Sequence, residues 1–379
     1  MNFAFNEEQE SLRAAARSFL ADHSSSKQVR EAMESERGWD PEVWRRIAAE
    51  LGWPAVIVPE EYGGLGLGQV DLAVLMDEMG AALLCSPYFS TVCLAGNALV
   101  VGGTEEQRQR YLPGIASGET IATLAYTEAN GRWDAAAIEA TVRRDAKGFV
   151  LSGQKTFVPD GHLADVLVVA ARADGSRAEE GVSLFVLPAD TAGVERRLLG
   201  TMDQTRKQAE IALRDVRVPA SALMGDEGGG WSILERTLDL ATVALAAEQV
   251  GGAARCLDMA VAYAKERVQF GRPIGSFQAI KHKCADMLVR VESARSASYY
   301  AAWVAGSRSE ELAVAASLAK AYCSDAYFHC AAESLQIHGG VGFTWEYDVH
   351  LYFKRAKSSE IFLGDAKYHR ERVAQRIGL

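Results

Sequence analysis

The chain has 379 residues, 49% apolar and 24% charged, a composition typical of a globular protein with room for two or three domains. A net charge of −10 without lysine–arginine blocks argues against a nucleic-acid-binding surface. No apolar run of about 18 residues predicts a membrane span, and the acidic start "MNFAFNEEQE" predicts no signal peptide. Six cysteines and seven histidines lack zinc-ligand spacing, so we expect reduced, mostly buried thiols, no metal and a cytoplasmic protein.

Residues 1–118 are predicted to form an N-terminal α-helical domain. "NEEQESLRAAARSFLADH" begins with Asn6, a residue suited to capping a helix, and continues with helical periodicity. "PEVWRRIAAELGW" and "QVDLAVLMDEMGAALLC" repeat that periodicity. The intervening "GGLGLG" lacks the spacing of a dinucleotide-binding loop and is interpreted as a turn.

The remaining chain is predicted to contain a central β-domain at 119–228 and a C-terminal four-helix bundle at 229–379. Short β-branched runs such as "DVLVVAAR" and "GVSLFVLP", separated by turn residues, indicate an antiparallel all-β module. From Trp231 onward, three long Ala-rich helical stretches and one short one with short connections indicate the bundle. The predicted fold class is therefore mainly α with a central β-domain.

Two turns in the predicted bundle have compositions that suit ligand binding. "KERVQFGRPIGSFQAIKHK" is predicted to end one helix around Arg267 and Phe270 and to open the next at Gln278. A cation, an aromatic ring and an amide at one turn suit a pyrophosphate with an attached planar ring; a plain helix–turn–helix corner is the alternative. In "QIHGGVGF", Gly339 and Gly340 permit close approach of a ligand to the backbone, or cap a helix.

These stretches together resemble the acyl-CoA dehydrogenase family over the whole chain. The resemblance is carried, in order and spacing, by "YLPGIASGE", "LAYTEANG", "LSGQKTFVPDGHLADVLVVAAR", "VRVPASALMGDEGGGW", "RVQFGRPIGSFQAIKHKCADM" and "QIHGGVGFTWEYDVHLYFKRAK". It implies a helical domain, a β-barrel or sandwich domain and a four-helix bundle. It also implies that FAD is held between one subunit's β-domain and a neighbour's bundle, and that a glutamate starts the α,β-desaturation of an acyl-CoA thioester.

The chain departs from this resemblance at both positions where family members carry the glutamate. Near the C-terminus the glutamate precedes a Gly-Thr pair. This chain reads "IFLGD" there, with Leu363 in place of the glutamate and Asp365 in place of the threonine. A carboxylate at 365 would repel a nearby pyrophosphate. A subset of the family has its base near the start of the first bundle helix, where this chain has Ala241 and Thr242. Neither leucine nor alanine can accept a proton.

The side of the site that meets the flavin ring in relatives is also altered. A Trp-x-Thr there is replaced by Phe157 and Pro159, and a small serine beside the thioester is replaced by Trp133. Thr127 and Glu128 match the family; Thr127 and Phe157 are retained as weaker cofactor-binding candidates, and Glu128 equally suits ordering the loop. The residues that a subunit lends to its neighbour's FAD are, by contrast, intact: Arg267, Phe270, Gln278, Gln336, Gly339 and Gly340.

We therefore expect the base-lacking subunit of a hetero-oligomeric, plausibly α2β2, acyl-CoA dehydrogenase. A homologous catalytic subunit would supply the glutamate, and electron-transfer flavoprotein would accept the electrons. "ALAAEQVGGA" resembles such heteromers, which makes a bulky CoA ester such as a steroid side chain a reasonable substrate.

Two alternatives remain open. The chain could form a homo-oligomer with a relocated base, for which Glu248 is the candidate because its apolar surroundings suit a general base. Glu248 equally suits a packing role across the bundle, which we favour because it lies two turns from the base position. Alternatively, the chain could be a flavin- or CoA-binding homologue without dehydrogenase activity. Arg355 and its neighbours are expected to form a solvated face.

Overall fold

The computed structural model describes residues 6–307 and 310–379. These residues divide into two compact units: unit 1 comprises the chain up to Glu31, Gln69–Leu84 and Thr242–Leu379, and unit 2 comprises Ala32–Gly68 and Cys85–Ala241. Helices precede and follow the strands along the chain, which confirms the predicted fold class.

The helices account for most of unit 1 and for part of unit 2. In chain order they are α1 Glu7–His23, α2 Ser26–Glu34, α3 Pro41–Ala49, α4 Gln69–Ala81, α5 Asn97–Gly102, α6 Glu105–Ala116, α7 Gly230–Glu266, α8 Gln278–Gly306, α9 Leu312–His338, α10 Val349–Ile361 and α11 Ala366–Arg376, with a π-helical segment at Phe89–Gly96. Asn6 caps α1 as predicted, because its side chain accepts a hydrogen bond from the Gln9 N–H and Gln9 returns one to the Asn6 N–H.

The end of the bundle differs from the prediction of one final short helix. Two helices, α10 and α11, are separated by a turn at residues 362–365. Leu363 and Gly364 in this turn have φ angles of +60° and +108°, outside the right-handed helical region. The sequence "FLGD" therefore separates two helices where one was predicted.

A close crossing of α4 and α7 in unit 1 depends on two glycines. A Cβ atom at Gly80 would lie 2.0 Å from the Glu248 carbonyl oxygen, and one at Gly251 would lie 1.8 Å from the Asp77 carbonyl oxygen. Both distances are far below van der Waals contact, so only glycine permits this approach of the two backbones. The crossing fixes the height of Glu248 in the bundle.

The strands of unit 2 form one eight-stranded sheet. The strands are β1 Ala122–Ala125, β2 Thr141–Asp145, β3 Gly148–Pro159, β4 Val166–Ala173, β5 Val182–Pro188, β6 Val194–Leu198, β7 Gln208–Pro219 and β8 Leu223–Met224. Their order is β6-β7-β3-β2-β4-β5-β8, with β1 on β4. The prediction of a purely antiparallel module is wrong, because both β1 and β2 pair with β4 in parallel.

The core of the sheet is built from side chains that the strand pattern predicts to point inward. Phe149 on β3 and Phe185 on β5 meet edge to face at 5.1 Å, surrounded by buried valine and leucine side chains. Five of the six cysteines are buried and Cys284 is half-buried, which confirms mostly buried thiols. No helix in the described residues is long and apolar enough to span a bilayer.

Candidate functional site

The Arg267 turn has a more defined shape than a simple helix corner. Helix α7 ends at Glu266, and a short hairpin follows, with β9 Val268–Gln269 paired antiparallel to β10 Arg272–Pro273. Phe270 and Gly271 form its tip with φ angles of +53° and +74°, the two-residue turn that matches strand twist. The expected helix end around Arg267 and Phe270 is therefore corrected to Glu266, whereas the expected start of α8 at Gln278 is confirmed.

The candidate FAD-donating side chains of unit 1 all face solvent. Phe270 is 92% exposed, whereas phenylalanine side chains are usually buried. Within the described residues, the side chains of Arg267, Gln278 and Gln336 make no hydrogen bond or ion pair. They are therefore available to a ligand or to another molecule. We call the following exposed residues the donor set: Arg267, Phe270, Gln278, Gln336, Gly339 and Gly340.

The glycine turn after α9 leaves open space beside its backbone. Gly339 has φ +63° and ψ −139°, a conformation that L side chains rarely adopt. A Cβ atom at Gly339 or at Gly340 would meet nothing within 4 Å among residues 6–307 and 310–379. Packing therefore does not explain Gly340, whereas a ligand that approaches from outside the chain would.

The β-domain candidates are engaged differently. The Thr127 hydroxyl donates a hydrogen bond to the Thr156 carbonyl oxygen at 2.6 Å, so its one donor is already engaged within the chain. Phe157 lies in a bulge of β3 with φ +53° and is 49% exposed. Pro159 is buried, and its carbonyl oxygen accepts a hydrogen bond from Thr123 Oγ1 at 2.7 Å. No hydroxyl at 157 or 159 is available to a flavin ring.

Glu128 is committed to the structure of its loop. Its carboxylate accepts hydrogen bonds from the N–H groups of Glu139 and Ala140 at 2.9 and 3.0 Å and from Lys155 Nζ at 2.5 Å. Burial lowers the pKa of Lys155, and the neighbouring carboxylate opposes that shift. These contacts support the loop-ordering interpretation of Glu128. Trp133 lies in the same loop and is half-buried.

Neither base position could hold a proton acceptor without disturbing a buried environment. Ala241 is fully buried on α7, and Thr242 is 1% exposed. Leu363 is 4% exposed, and its carbonyl oxygen accepts a hydrogen bond from His369 Nε2 at 3.0 Å. Asp365 N-caps α11, because its carboxylate accepts the Tyr368 N–H at 2.7 Å. The acid at 365 therefore has a local structural role.

A buried lysine that sequence reasoning missed closes this turn. Lys320 on α9 donates to Ser324 Oγ at 2.8 Å and to the carbonyl oxygens of Glu360 and Gly364 at 3.0 Å each. Burial lowers the pKa of Lys320 to about 7 and that of His369 to about 3. One lysine in the apolar run "AVAASLAKAYC" was the available signal, but its carbonyl partners lie about 40 residues away.

Glu248 has a buried arginine as its partner. Arg355 Nη1 lies 2.8 Å from Glu248 Oε1, and the two side chains are 3% and 4% exposed. The expectation of a solvated face is wrong for Arg355, because the guanidinium points into unit 1 to meet a carboxylate on α7. A buried ion pair of this kind supports the packing interpretation of Glu248.

FAD is the cofactor implied by the resemblance, and the two groups of candidate residues differ in how they fit it. The donor set offers an unpaired guanidinium, two amides, an exposed ring and glycine backbone with room beside it, which suits a pyrophosphate and adenosine. The β-domain residues do not offer the flavin ring the hydroxyl group that family members offer. Pro159 has no hydroxyl, and the Thr127 hydroxyl already donates its hydrogen bond to the Thr156 carbonyl oxygen.

Comparison with known proteins identifies the family. Three family models match in order: the acyl-CoA dehydrogenase N-terminal domain at 6–119, the middle domain at 123–216 and the C-terminal domain at 228–378. The acyl-CoA dehydrogenase IpdE2 of Mycolicibacterium smegmatis is 35% identical over 98% of this chain and 99% of its own.

Two solved structures are also similar. The Tcur3481-Tcur3483 steroid ACAD is 33% identical with a TM-score of 0.88 over 98% of both chains. The ChsE4-ChsE5 complex of Mycobacterium tuberculosis is 28% identical with a TM-score of 0.89 over 100% of this chain and 99% of the other. The chain therefore belongs to the acyl-CoA dehydrogenase family and is an oxidoreductase with FAD as its cofactor.

Proposed function

We propose that this chain is the subunit of a heteromeric acyl-CoA dehydrogenase that lacks the catalytic glutamate. A homologous subunit supplies the glutamate and the groups that meet the flavin ring, and this chain supplies the donor set to the same FAD. One observation carries the proposal: the base positions Leu363 and Ala241 are apolar and buried, whereas every member of the donor set is exposed. Losses and retention thus fall on different parts of the chain.

The roles of the donor set follow from its chemistry. Bound FAD supplies the hydride acceptor for α,β-desaturation. The Arg267 guanidinium binds pyrophosphate oxygens, the Gln278 and Gln336 amides hydrogen-bond polar atoms of the cofactor, and Phe270 packs on a planar ring. Gly340 has no side chain, so the backbone at this residue can lie close to the cofactor. None of these roles requires a carboxylate from this chain.

The substrate we propose is the CoA thioester of a bulky acyl group, such as a steroid side chain, with electron-transfer flavoprotein as the electron acceptor. The similarity to a structure described as a steroid ACAD supports this substrate class, and the similarity to a complex of two differently named chains supports a heteromer. Turnover of a steroid-side-chain CoA and of butyryl-CoA by the assembled complex, compared at equal concentrations, tests the choice of substrate.

The flavin content of the chain tests the division of labour. The chain is purified alone and after co-expression with each homologue from the same genome that retains the glutamate before Gly-Thr; flavin absorbance is compared with protein concentration. We expect little flavin on the chain alone and about one FAD per unlike pair with the correct homologue. About one tightly bound FAD per chain without a partner would instead favour a homo-oligomer.

The competing explanation, a homo-oligomer with Glu248 as base, makes a different prediction. The buried Arg355 partner weighs against it, because a carboxylate held in an ion pair is stabilised in its charged form and is tied to α10. Glu248→Gln in the active complex separates the two. A packing role leaves kcat within about 10-fold, whereas loss of a general base lowers it about 100-fold or more.

A further inference from the structure

The loop that follows Gly340 exposes two large aromatic side chains, Phe343 and Trp345, which we call the aromatic patch. Phe343 is 69% exposed and Trp345 is 62% exposed, whereas large aromatic side chains usually bury most of their surface. Tryptophan and phenylalanine are enriched in protein interfaces, where one such side chain can dominate the binding energy. The patch plays no part in binding FAD as assigned above.

Trp345 is held in place although it is exposed. Lys354 Nζ lies 4.8 Å from the centre of its ring and the Arg30 guanidinium lies 5.9 Å from it, both within the range of cation–π interactions. Arg30 is itself fixed by Asp348 at 2.7 Å, and His350 meets the indole edge to face at 4.8 Å. A side chain restrained before binding loses little conformational entropy on binding, which favours an interface role.

His350, against which Trp345 packs, has an unsatisfied ring nitrogen. The side chain is 8% exposed, and within the described residues its Nε2 has no hydrogen-bond partner. Burial is the largest cause that lowers the pKa of His350, which favours the neutral imidazole. A buried polar atom without a partner costs free energy, so the ring of His350 serves the packing against Trp345 and not hydrogen bonding.

The aromatic patch follows the donor set along the chain, because Phe343 and Trp345 come directly after the turn at Gly339 and Gly340. A cavity of about 480 Å³ is lined by the end of α7 and by the segment after α9, so Arg267 and the loop residues Glu346 and Tyr347 share one groove. Tyr263 and His338, which both line this groove, stack on each other at 4.3 Å. Any subunit that reaches the FAD held by Arg267 must therefore pass next to the loop that carries the patch.

We propose that the aromatic patch docks the homologous, glutamate-bearing subunit, and that this docking does not require FAD. The inference rests on the proposed function, because that subunit brings the flavin-ring side to the donor set. Homologous subunits in a pseudo-twofold pair present equivalent surfaces to each other. The patch lies on the same segment as Gly339 and Gly340, so the subunit whose FAD the donor set binds is the protein brought closest to it.

The donor set and the aromatic patch then have separate tasks. The donor set contacts the cofactor mainly through polar groups and glycine backbone, so its contribution disappears when flavin is removed. The patch buries apolar surface against protein, and this contribution remains in the flavin-free pair. The dissociation constant of the flavin-free pair therefore reports on protein–protein contacts, among them those of the patch, without the contribution of the cofactor.

The test compares three single substitutions in the chain, with the partner found by co-expression. Both subunits are stripped of flavin, and their dissociation constant is measured by biolayer interferometry. We expect Phe343→Ala and Trp345→Ala to weaken the flavin-free pair about 10-fold or more. Trp303→Ala is the matched control, because Trp303 on α8 is also an exposed tryptophan (45%) but lies outside the patch; we expect a change below about 2-fold. Thermal unfolding verifies that each variant is folded.

The outcomes separate this inference from the proposed function. If the unlike pair forms and holds FAD but Trp345→Ala and Phe343→Ala bind as tightly as Trp303→Ala, the docking inference is wrong and the division of labour stands. If no unlike pair forms and the chain alone holds one FAD, both are wrong. If Trp345→Ala weakens the flavin-free pair while Arg267→Met lowers only its FAD affinity, the separate tasks are supported.

Discussion

Two glycine-containing turns of unit 1 differ in what surrounds them. The turn at Gly339–Gly340 is exposed, and a Cβ atom added there would meet nothing within 4 Å in the part of the chain that the structure describes. The turn at residues 362–365 is enclosed: Lys320 donates to its carbonyl oxygen at Gly364 and His369 to that at Leu363. An added Cβ at Gly364 would lie 2.4 Å from Tyr368. The first turn leaves room beside its backbone, and the second is filled by contacts within the chain.

The difference shows how the turn at residues 362–365 keeps its form without a carboxylate at position 363. Once leucine occupies position 363, the turn is held by groups that need no ligand: an ammonium, an imidazole and the Asp365 cap. Among the described residues, nothing packs beside the two glycines of the open turn, and its role in binding FAD is the part of the proposal that remains to be tested. Substitutions in the two turns should therefore affect different measurements: stability in the closed turn and cofactor binding in the open one.

The largest effect is expected from Leu363→Glu in the closed turn. The substitution places a carboxylate at a 4% exposed position, where an uncompensated charge costs about 3–5 kcal/mol. We expect the free energy of unfolding to fall by that amount, measured by urea denaturation, without any dehydrogenase activity of the chain alone. Leu363→Met is the control, with a cost below about 1.5 kcal/mol. Activity of Leu363→Glu without a partner would show that this chain retains a complete site of its own.

His369 should make the closed turn sensitive to acid. Its pKa is lowered by burial to about 3 in the folded chain, against an ordinary value of about 6.5. The folded state therefore binds fewer protons than the unfolded state between these values, and stability present above pH 6.5 is lost as the pH falls. The expected loss from this group is about 2 kcal/mol between pH 6.5 and 5. His369→Gln should remove that part of the slope; an unchanged slope would contradict the assignment.

Sequence patterns predicted the elements that depend on local chemistry. The Asn6 cap and the start of α8 at Gln278 follow from residues within one helical turn, and the strands β3, β4, β5 and β7 follow from runs of β-branched residues. Motif matches likewise selected the members of the donor set, which lie in two short stretches; their role in binding FAD stays a prediction.

Features that depend on distant partners were missed. Arg355 was expected in solvent, because the charges of its own helix give no sign of a buried partner. That partner, Glu248, lies 107 residues earlier in the chain. Lys320 donates hydrogen bonds to two backbone carbonyl groups. Every residue has such a group, so the sequence does not indicate which ones the lysine binds. The parallel pairing of β1 and β2 with β4 was missed because strand periodicity carries no information on strand direction.

Removing the charge of Arg267 tests the exposed side of the comparison. Arg267→Met removes charge-assisted hydrogen bonds to a pyrophosphate, so we expect FAD to bind the unlike pair about 10- to 100-fold more weakly. Titration of the flavin-free pair with FAD measures this. Arg272→Met in the same hairpin is the matched control, because Arg272 stacks on Phe277 at 4.2 Å. Equal losses of FAD affinity in the two variants would mean that the conformation of the hairpin, and not the charge of Arg267, determines FAD binding.

The smallest and most selective effect is expected from Gly340→Ala. The added methyl group meets nothing within 4 Å in this chain and needs no left-handed backbone, so the free energy of unfolding should change by less than about 0.5 kcal/mol. If the open space is filled by FAD in the unlike pair, the same methyl group displaces the cofactor, and FAD affinity should fall about 10-fold. Gly306→Ala at the end of α8 is the control, because its Cβ also meets nothing. Gly340→Ala that binds FAD as tightly as Gly306→Ala would remove this turn from the donor set, and the openness of the turn would then need another explanation.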